Sequence, residues 1–209
     1  MSGATTYARL RRLGSPITTG EAAAALRTSA SAASRALRGL ARNGLVRKVA
    51  HGLWDVAEVP RPPEHLALEI VRPYPAYVSF ASALAAHGAI DQIPREIALA
   101  SLGRPRRVRT SVGIVTVHRI PPELFGGFEE RDGVPVARVE KAIVDHYYVM
   151  HASGRGGRRL PELDLPAGFS EAEVRRWIAR IGSPRLRTLV SRSVARSLRH
   201  AEREERSPR

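Results

Sequence analysis

The chain contains no cysteine, which excludes several kinds of chemistry at once. Without thiols it can form no disulfides, cysteine-ligated zinc sites, iron–sulfur clusters or thiol nucleophiles. It also lacks an apolar run of the roughly 18 residues that a membrane span needs. Its first residues, MSGATTYARLRRLG, have no apolar stretch of the kind that a secretory signal carries. We therefore expect a cytoplasmic protein that has no membrane partner.

Signatures of catalysis and of metal binding are scarce as well. The seven histidines include no HExxH, no His-x-His and no pair at metal-ligand spacing, and we interpret His87 and His118 as hydrogen-bonded structural residues. Glu140 and Lys141 adjoin each other at a predicted helix start, where the helix dipole favours a glutamate, and do not form the strand-borne Glu-x-Lys pair of a nuclease. The glycines of GRGG (154–157) lie in a predicted linker, without the strand and helix of a phosphate-binding loop. We expect no enzyme activity, no cofactor, and neither catalytic nor metal-binding residues.

Acidic residues are few for the number of basic ones, and the excess is unevenly distributed. The formal net charge is +14, and the basic residues are 32 arginines and two lysines. Residues 1–60 hold 9 basic and 3 acidic side chains, residues 61–150 hold 11 and 10, and residues 151–209 hold 14 and 7. A nearly neutral middle between two basic ends indicates a polyanion that both ends contact.

Residues 17–57 predict two short helices joined by a tight turn, which is the helix-turn-helix arrangement. A capping box of Thr18 and Glu21 starts the first helix. The second begins after the good N-cap residue Ser29 and ends at Gly44. A further helix upstream, at about residues 5 to 13, should supply the third wall of this core.

The second helix of the pair has two distinct faces. Ala33, Leu37 and Leu40 recur at helical spacing and should be buried. The opposite face combines hydroxyls, which permit close approach, with arginines that can reach guanine edges or phosphates in a major groove. Two short strands around the turn Ala50-His51-Gly52 predict a β-hairpin wing beside it. The predicted DNA-binding residues are Ser31, Ser34, Arg35, Arg38 and Arg42 on the helix and Arg47, Lys48 and His51 on the wing.

Two other interpretations fit the same residues. An alanine-rich helical bundle would have these arginines as a solvated face, and some winged helices bind protein. The helix caps, the helical spacing of the apolar residues, the hairpin and the positive charge all agree with a DNA-binding winged helix-turn-helix domain over residues 1–60. We therefore favour that interpretation.

Beyond a proline-rich boundary at Val59–Pro63, the chain predicts a small mixed α/β domain over residues 64–150, so that the overall class is α+β. Its expected helices are at 64–72, after Ser79 and from Val139, and its expected strands are at 97–101, 106–110, 113–120 and 134–137.

The third expected segment, residues 151–209, is a basic linker followed by C-terminal helices. Ser170 and Glu173 predict a capping box for the first helix, and Ser183-Pro184 should open the last. An apolar stripe on the last helix lies opposite an arginine face, which favours packing on its own domain over binding a partner. The stripe is formed by Leu186, Leu189, Val190, Val194 and Leu198.

Three segments follow one another in the predicted mixed α/β domain: YVSFASALAAHGAIDQIP, RRVRTSVGIVTVHRIPPELFGGFEE and VPVARVEKAIVDHYYV. Their order resembles the AbiEi antitoxin family of bacterial abortive-infection systems. The wing sequence HGLWDV is also similar to the family's, with Trp54 where a tyrosine is usual, whereas Arg138-Val139 replaces the usual small residue and proline. The resemblance covers about residues 15–150. The matching residues are Ser79, Ser82, Ala83, Leu84, His87, Gly88, Pro94, Gly113, His118, Phe125, Gly127, Glu140, Lys141, Ala142 and Asp145.

The resemblance implies a transcriptional autorepressor that is also the antitoxin of a type IV toxin–antitoxin operon. Its implied partners are double-stranded promoter DNA and a nucleotidyltransferase-like toxin, opposed directly or only functionally through the second domain. The alternatives are a stand-alone winged-helix transcription factor whose second domain senses a ligand, a DNA-targeted enzyme with an unrecognised site, and a protein-binding module.

Overall fold

The computed structural model describes residues 3–59, 61–154 and 160–205, with side chains described up to Ala201. Within these ranges, eight α-helices accompany a three-stranded and a six-stranded sheet, which confirms the α+β class. None of the helices in these ranges has the length and apolar character that crossing a membrane demands.

The chain divides into two compact units. Unit 1 comprises Met1–Ile70 with Val108–Ile114, and unit 2 comprises Val71–Arg107 with Val115–Arg209. The helix that follows the proline-rich segment therefore belongs to unit 1. The C-terminal helices belong to unit 2, whereas the sequence predicted them as part of a separate third segment. Most of the predicted GRGG segment, at residues 155–157, lies outside the described ranges.

Unit 1 begins with the elements α1 (Gly3–Arg11), β1 (Ile17–Thr18), α2 (Thr19–Leu26), α3 (Ala30–Arg42), β2 (Arg47–Ala50), β3 (Leu53–Asp55) and α4 (Pro63–Glu69). The three strands form a small antiparallel sheet, in which β3 lies between β1 and β2. The two-residue strand β1 is absent from the sequence prediction, and α1 starts and ends two residues earlier than expected.

The predicted signals at the ends of α2 and α3 are confirmed. The Thr18 hydroxyl accepts the Glu21 N–H, and the Glu21 carboxylate accepts the Thr18 N–H, so the capping box is complete. Ser29 caps α3 by accepting the Ala32 N–H at 3.2 Å. Gly44, with φ of +71°, ends α3 in the left-handed region that glycine adopts without a steric penalty.

The buried face of α3 packs in the main core of unit 1. Ala33, Leu37 and Leu40 are 0–4% exposed, as predicted, and share this core with Leu10 and Trp54. A second cluster lies beneath the β2–β3 hairpin, where α4 contributes a fully buried leucine. Its members are Val49, Leu53 and Leu66, with Ala50, Ile70 and Val112 packed against them.

The remaining elements are β4 (Ala76–Val78), α5 (Phe80–Ala86), β5 (Glu96–Ser101), β6 (Arg106–Thr110), β7 (Gly113–Arg119), a 3₁₀ turn (Pro122–Leu124), β8 (Phe128–Arg131), β9 (Val134–Ala137), α6 (Val139–Ala152), α7 (Glu171–Ala179) and α8 (Pro184–Glu205). They belong to unit 2, apart from residues 108–110 of β6 and 113–114 of β7. The six strands form one sheet in the order β6-β7-β5-β4-β9-β8. Strands β4 and β9 pair in parallel, whereas β4–β5 and β8–β9 are antiparallel. The short strands β4 and β8 were not predicted.

Two predicted caps in unit 2 differ from expectation. Ser79 precedes α5 at the N-cap position, but its hydroxyl donates to Asp145 instead of capping the helix. Ser170 does cap α7 by accepting the Glu173 N–H, yet its own N–H is bound by Glu140 at 2.8 Å. Glu173 pairs with Arg176 instead, so the predicted reciprocal capping box is only half formed.

Helix α8 packs on α6, as the own-domain interpretation of its apolar stripe expected. Val190, Val194 and Leu198 are buried, and Leu186 and Leu189 are half-buried. Polar contacts accompany this packing, because the Ser193 hydroxyl lies 2.8 Å from Nε2 of His151 and the Ser197 hydroxyl bonds that of Tyr147. Burial lowers the pKa of His151, which favours the neutral imidazole in this contact.

Candidate nucleic-acid interface

The outer face of α3 is polar and open to solvent. Ser31, Arg35, Arg38 and Arg42 are exposed and Ser34 is half-buried. At about 100° per residue, these five side chains fall within roughly 100° of arc on the side away from the buried face. The sequence prediction therefore assigned the two faces of α3 correctly.

No carboxylate interrupts this face, because α3 contains no Asp or Glu. Three of the acidic residues of unit 1 are engaged elsewhere: Glu21 caps α2, Asp55 pairs with Arg47, and Glu58 pairs with Arg11. The positive charge of α3 is therefore not neutralised within the helix itself. Such a surface attracts an anion over several ångströms and approaches it without like-charge repulsion.

The β2–β3 hairpin presents two of the predicted DNA-binding residues at its surface. Lys48 is exposed, and His51 is exposed in the turn, where Gly52 adopts a φ of +73°. The hairpin is joined to the start of α2, since the Thr19 N–H donates to the Gly52 carbonyl at 2.8 Å and the Trp54 indole donates to the Thr19 hydroxyl at 3.0 Å. These bonds hold the hairpin in a fixed position relative to α2.

Arg47 differs from the other predicted contacts because it already has an anionic partner. Its Nη2 atom lies 2.7 Å from Oδ2 of Asp55, which is only 3% exposed. Burial alone would raise the pKa of Asp55, but hydrogen bonds from Ser15, from the Ala57 N–H and from Arg47 lower it below its ordinary value. The arginine therefore neutralises a buried carboxylate, and its side chain is still 42% exposed.

All eight predicted residues lie in unit 1, five on α3 and three on the β2–β3 hairpin. The same unit has further exposed arginines that the sequence prediction did not include, among them Arg9, Arg12 and Arg27. Arg27 had a detectable signal, since it stands where the predicted helix pair must turn and where glycine is the usual residue.

Unit 2 contains a buried polar cluster that sequence reasoning also missed. Lys141 and Asp145 are fully buried on α6 and form an ion pair. Asp145 also accepts hydrogen bonds from Tyr77 at 2.9 Å and Ser79 at 2.8 Å, and Lys141 donates to the Tyr77 hydroxyl at 2.8 Å. The Trp177 ring of α7 covers the ammonium group at 5.0 Å. Glu140 and Lys141 lie at the start of α6, as predicted, but the burial of Lys141 was not predicted.

Burial shifts the pKa values of two groups in this cluster. Burial lowers the pKa of Lys141, although the neighbouring Asp145 opposes that shift. Burial and Asp145 together raise the pKa of Tyr77 well above its ordinary value. Tyr77, Ser79, Lys141 and Asp145 are all at 0% exposure, so the cluster is closed to solvent. Its contacts join β4, α6 and α7.

Several residues that carry the family resemblance have comparable structural roles. His87 bonds the Ala137 carbonyl at 2.9 Å, as expected for a structural histidine. Ser82 donates to the Glu96 carbonyl and accepts the Ala98 N–H. Gly127 has no room for a side chain, because a Cβ would lie 2.6 Å from Trp177. The resembling segments thus meet in the scaffold of unit 2.

The described part of unit 2 also contains an open cleft of about 450 Å³, whose polar lining is acidic. It lies between residues 90–92 and 161–164 and includes the exposed carboxylates of Asp91, Glu162 and Asp164. Its charge is opposite to that of the α3 face, so it does not extend a surface for polyanions.

Comparisons with known proteins add no relatives to this description. No protein-family model matches the chain, and a search of curated proteins finds no match either.

Proposed function

We propose that unit 1 is a winged helix-turn-helix domain that binds double-stranded DNA, with α3 in the major groove and the β2–β3 hairpin as its wing. The order of elements supports this: α2 and α3 are separated by three residues, and the hairpin follows directly. Complete caps at the starts of both helices and the bonds from Thr19 to the hairpin fix the relative positions of these elements.

The observation that carries the proposal is the outer face of α3. Two serines and three arginines occupy one side of a helix that has no carboxylate and whose opposite side is buried. Serine lets a helix approach base edges closely, and arginine forms bidentate bonds with guanine or charged bonds with phosphate.

The positions of these residues suggest different roles. Ser34 and Arg35 lie about one turn into α3, the region from which helix-turn-helix proteins read bases. Arg38 and Arg42, nearer the end of the helix, are assigned to phosphate contacts. The three hairpin residues are assigned to contacts with the DNA backbone: Arg47, Lys48 and His51. Arg47 contributes only the exposed part of its guanidinium, because the rest pairs with Asp55. The affinity should then depend strongly on salt, since each neutralised phosphate releases counterions.

Binding of the wild-type chain to a duplex from the promoter region of its own gene tests this function. With phosphate contacts from Arg38, Arg42 and Lys48 alone, the logarithm of the association constant should fall with the logarithm of salt concentration at a slope of about −2.7 or steeper. A chain that does not bind duplex DNA, or that binds with no salt dependence, contradicts the proposal.

We further propose that the chain is the autorepressor and antitoxin of an AbiE-type operon. The support is the resemblance over about residues 15–150, which implies repression through unit 1 and toxin opposition through the second domain. The simplest test is to look for a gene for a nucleotidyltransferase-like toxin next to the gene for this chain. Its presence would support the proposal, whereas an isolated gene favours the stand-alone transcription factor.

Separation of the two activities provides the stronger test. In cells that express the neighbouring toxin, the full-length chain should restore growth. Arg35→Ala should relieve repression of a reporter under the chain's own promoter while it still restores growth, because Arg35 lies in unit 1. A chain that represses its promoter but never protects cells is not an antitoxin.

A further inference from the structure

The turn between α2 and α3 contains an arginine in a backbone conformation that glycine normally adopts. Arg27 has φ of 52° and ψ of 52°, in the left-handed region. Its N–H donates to the Ala24 carbonyl at 3.1 Å, and the Thr28 N–H donates to the Ala23 carbonyl at 3.0 Å. These two bonds form a Schellman motif, in which the left-handed position is usually a glycine because a Cβ is strained there.

The same chain uses glycine for this purpose at three other helix ends. Gly44 follows α3 at φ of +71°, Gly88 follows α5 at +67°, and Gly154 follows α6 at +73°. The end of α2 requires the same backbone, yet it carries the long charged side chain of Arg27. Glycine would meet the geometric requirement without strain, so the turn itself does not account for the arginine.

The other strained residues in the described ranges have visible compensation. Asp132 precedes Gly133 in the tight turn between β8 and β9, where aspartate is a favoured residue. Phe80 is 4% exposed, and its ring lies 4.5 Å from that of His118. Arg27, by contrast, is exposed and makes no hydrogen bond or ion pair with another described side chain. Strain without an internal compensating contact is typical of residues that act on a ligand.

We propose that Arg27 binds a DNA phosphate beside the groove entered by α3, and that the chain retains a strained arginine there because of this contact. The inference rests on the proposed DNA binding of unit 1. Arg27 lies two residues before the N-cap residue Ser29, at the end of α3 that also bears Ser31 and Arg35. A guanidinium at this position flanks the base-reading residues, where the DNA backbone borders the groove.

Arg27→Gly tests the proposal because its effects on stability and on binding should have opposite signs. Removal of the strained Cβ should raise Tm by about 2–4 °C. Loss of one phosphate contact should reduce the magnitude of the salt slope by about 0.9, which corresponds to roughly fivefold weaker binding at 0.15 M salt relative to a 1 M reference. The weakening should be the same on the promoter duplex and on a scrambled duplex, because phosphates carry no sequence information.

Three further variants serve as controls. Arg27→Asn, which tolerates the left-handed region, should resemble Arg27→Gly in both measurements. Arg27→Lys keeps a cation and should retain most of the binding. Arg95→Ala removes one exposed arginine from unit 2, in the nearly neutral middle of the chain, and should leave the salt slope unchanged, which excludes an effect of net charge alone.

If Arg27→Gly melts higher but binds both duplexes with the wild-type slope, Arg27 is not a phosphate contact. A Tm that stays the same or falls overturns the claim that arginine is retained at the expense of stability. Failure of DNA binding as a whole is distinguishable from both results, because the wild-type chain itself would then not bind either duplex.

Discussion

Arg47 and Asp55 lie directly opposite each other on β2 and β3, and their side chains form an ion pair of 2.7 Å at the base of the hairpin. The pair has two consequences. It compensates the burial of the Asp55 carboxylate, and it restricts the guanidinium of a residue that we expect to face the DNA backbone. The stability of the hairpin is therefore coupled to the protonation of Asp55.

The first prediction concerns acid pH. The pKa of Asp55 is lowered from 3.8 in the folded chain, so the ionised carboxylate contributes stability above that value. This contribution should be lost as the pH falls through the folded-state pKa, below 3.8. Melting curves from about pH 6 to pH 2.5 should show a steeper loss for the wild type than for Asp55→Asn.

Glu58→Gln is the matched control for this experiment. Glu58 also pairs with an arginine, Arg11, but its side chain is 61% exposed. Exposed pairs contribute little, so the pH dependence of this variant should follow that of the wild type. Equal acid sensitivity of Asp55→Asn and the wild type would show that the Arg47–Asp55 pair contributes nothing to the hairpin.

The second prediction concerns the buried ion pair of unit 2. Lys141→Met leaves Asp145 as an uncompensated buried carboxylate and should destabilise the fold by about 3–5 kcal/mol. The double variant Lys141→Met/Asp145→Leu should recover part of this loss, because it removes the isolated charge. Recovery should be incomplete, since the Tyr77 and Ser79 hydroxyls lose their acceptor.

Lys48, the other lysine of the chain, provides the control. It is exposed on β2, so the stability of Lys48→Met should stay within about 0.5 kcal/mol of the wild type. Urea unfolding of all four proteins measures these differences. A Lys141→Met variant as stable as Lys48→Met would mean that the buried cluster does not support the fold.

The third prediction compares two glycines that have nearly the same positive φ. Gly127 and Gly154 have φ of +71° and +73°, but only at Gly127 would a Cβ meet other atoms, at 2.6 Å from Trp177 and 3.0 Å from Lys141. Gly154→Ala should cost roughly 1–2 kcal/mol for the left-handed backbone alone. Gly127→Ala adds overpacking and should cost about 2–5 kcal/mol. Equal losses of unfolding free energy would contradict the close packing of Trp177 against this turn.

Local signals made much of unit 1 predictable. The caps Thr18, Glu21 and Ser29 act through hydrogen bonds to residues three positions away, so the sequence contains both partners. The burial of Leu37 follows from helical spacing alone. The two-residue strand β1 was not predicted, because it is defined by its pairing with β3 and has too few residues for a periodic pattern.

Contacts between distant residues were not predictable. Ser170 has the local pattern of a capping box, yet its N–H is taken by Glu140, thirty residues earlier in the chain. Lys141 lies at the start of a helix, as predicted, but its burial could not be predicted. It is buried because β4 and α7 pack around it. Arg47 was predicted as a DNA contact without its partner Asp55, although that partner is only eight residues away and faces it across a hairpin that was itself predicted.

The most direct test of the central claim, that α3 reads DNA, is a comparison of Arg35→Ala and Arg42→Ala on promoter and scrambled duplexes. Arg35→Ala should lose about 1–3 kcal/mol of binding free energy on the promoter and discriminate less between the two duplexes. Arg42→Ala should weaken binding to both alike and reduce the salt slope. Both residues are exposed, so neither change should lower Tm appreciably.

Leu37→Ala completes this measurement, because Leu37 is fully buried and its truncation should cost about 2–5 kcal/mol of unfolding free energy. Binding titrations and melting curves on the wild type and these three variants would decide the matter. We expect Arg35→Ala to melt like the wild type but to bind the promoter weakly. Wild-type promoter binding by Arg35→Ala would contradict the claim that the outer face of α3 reads DNA.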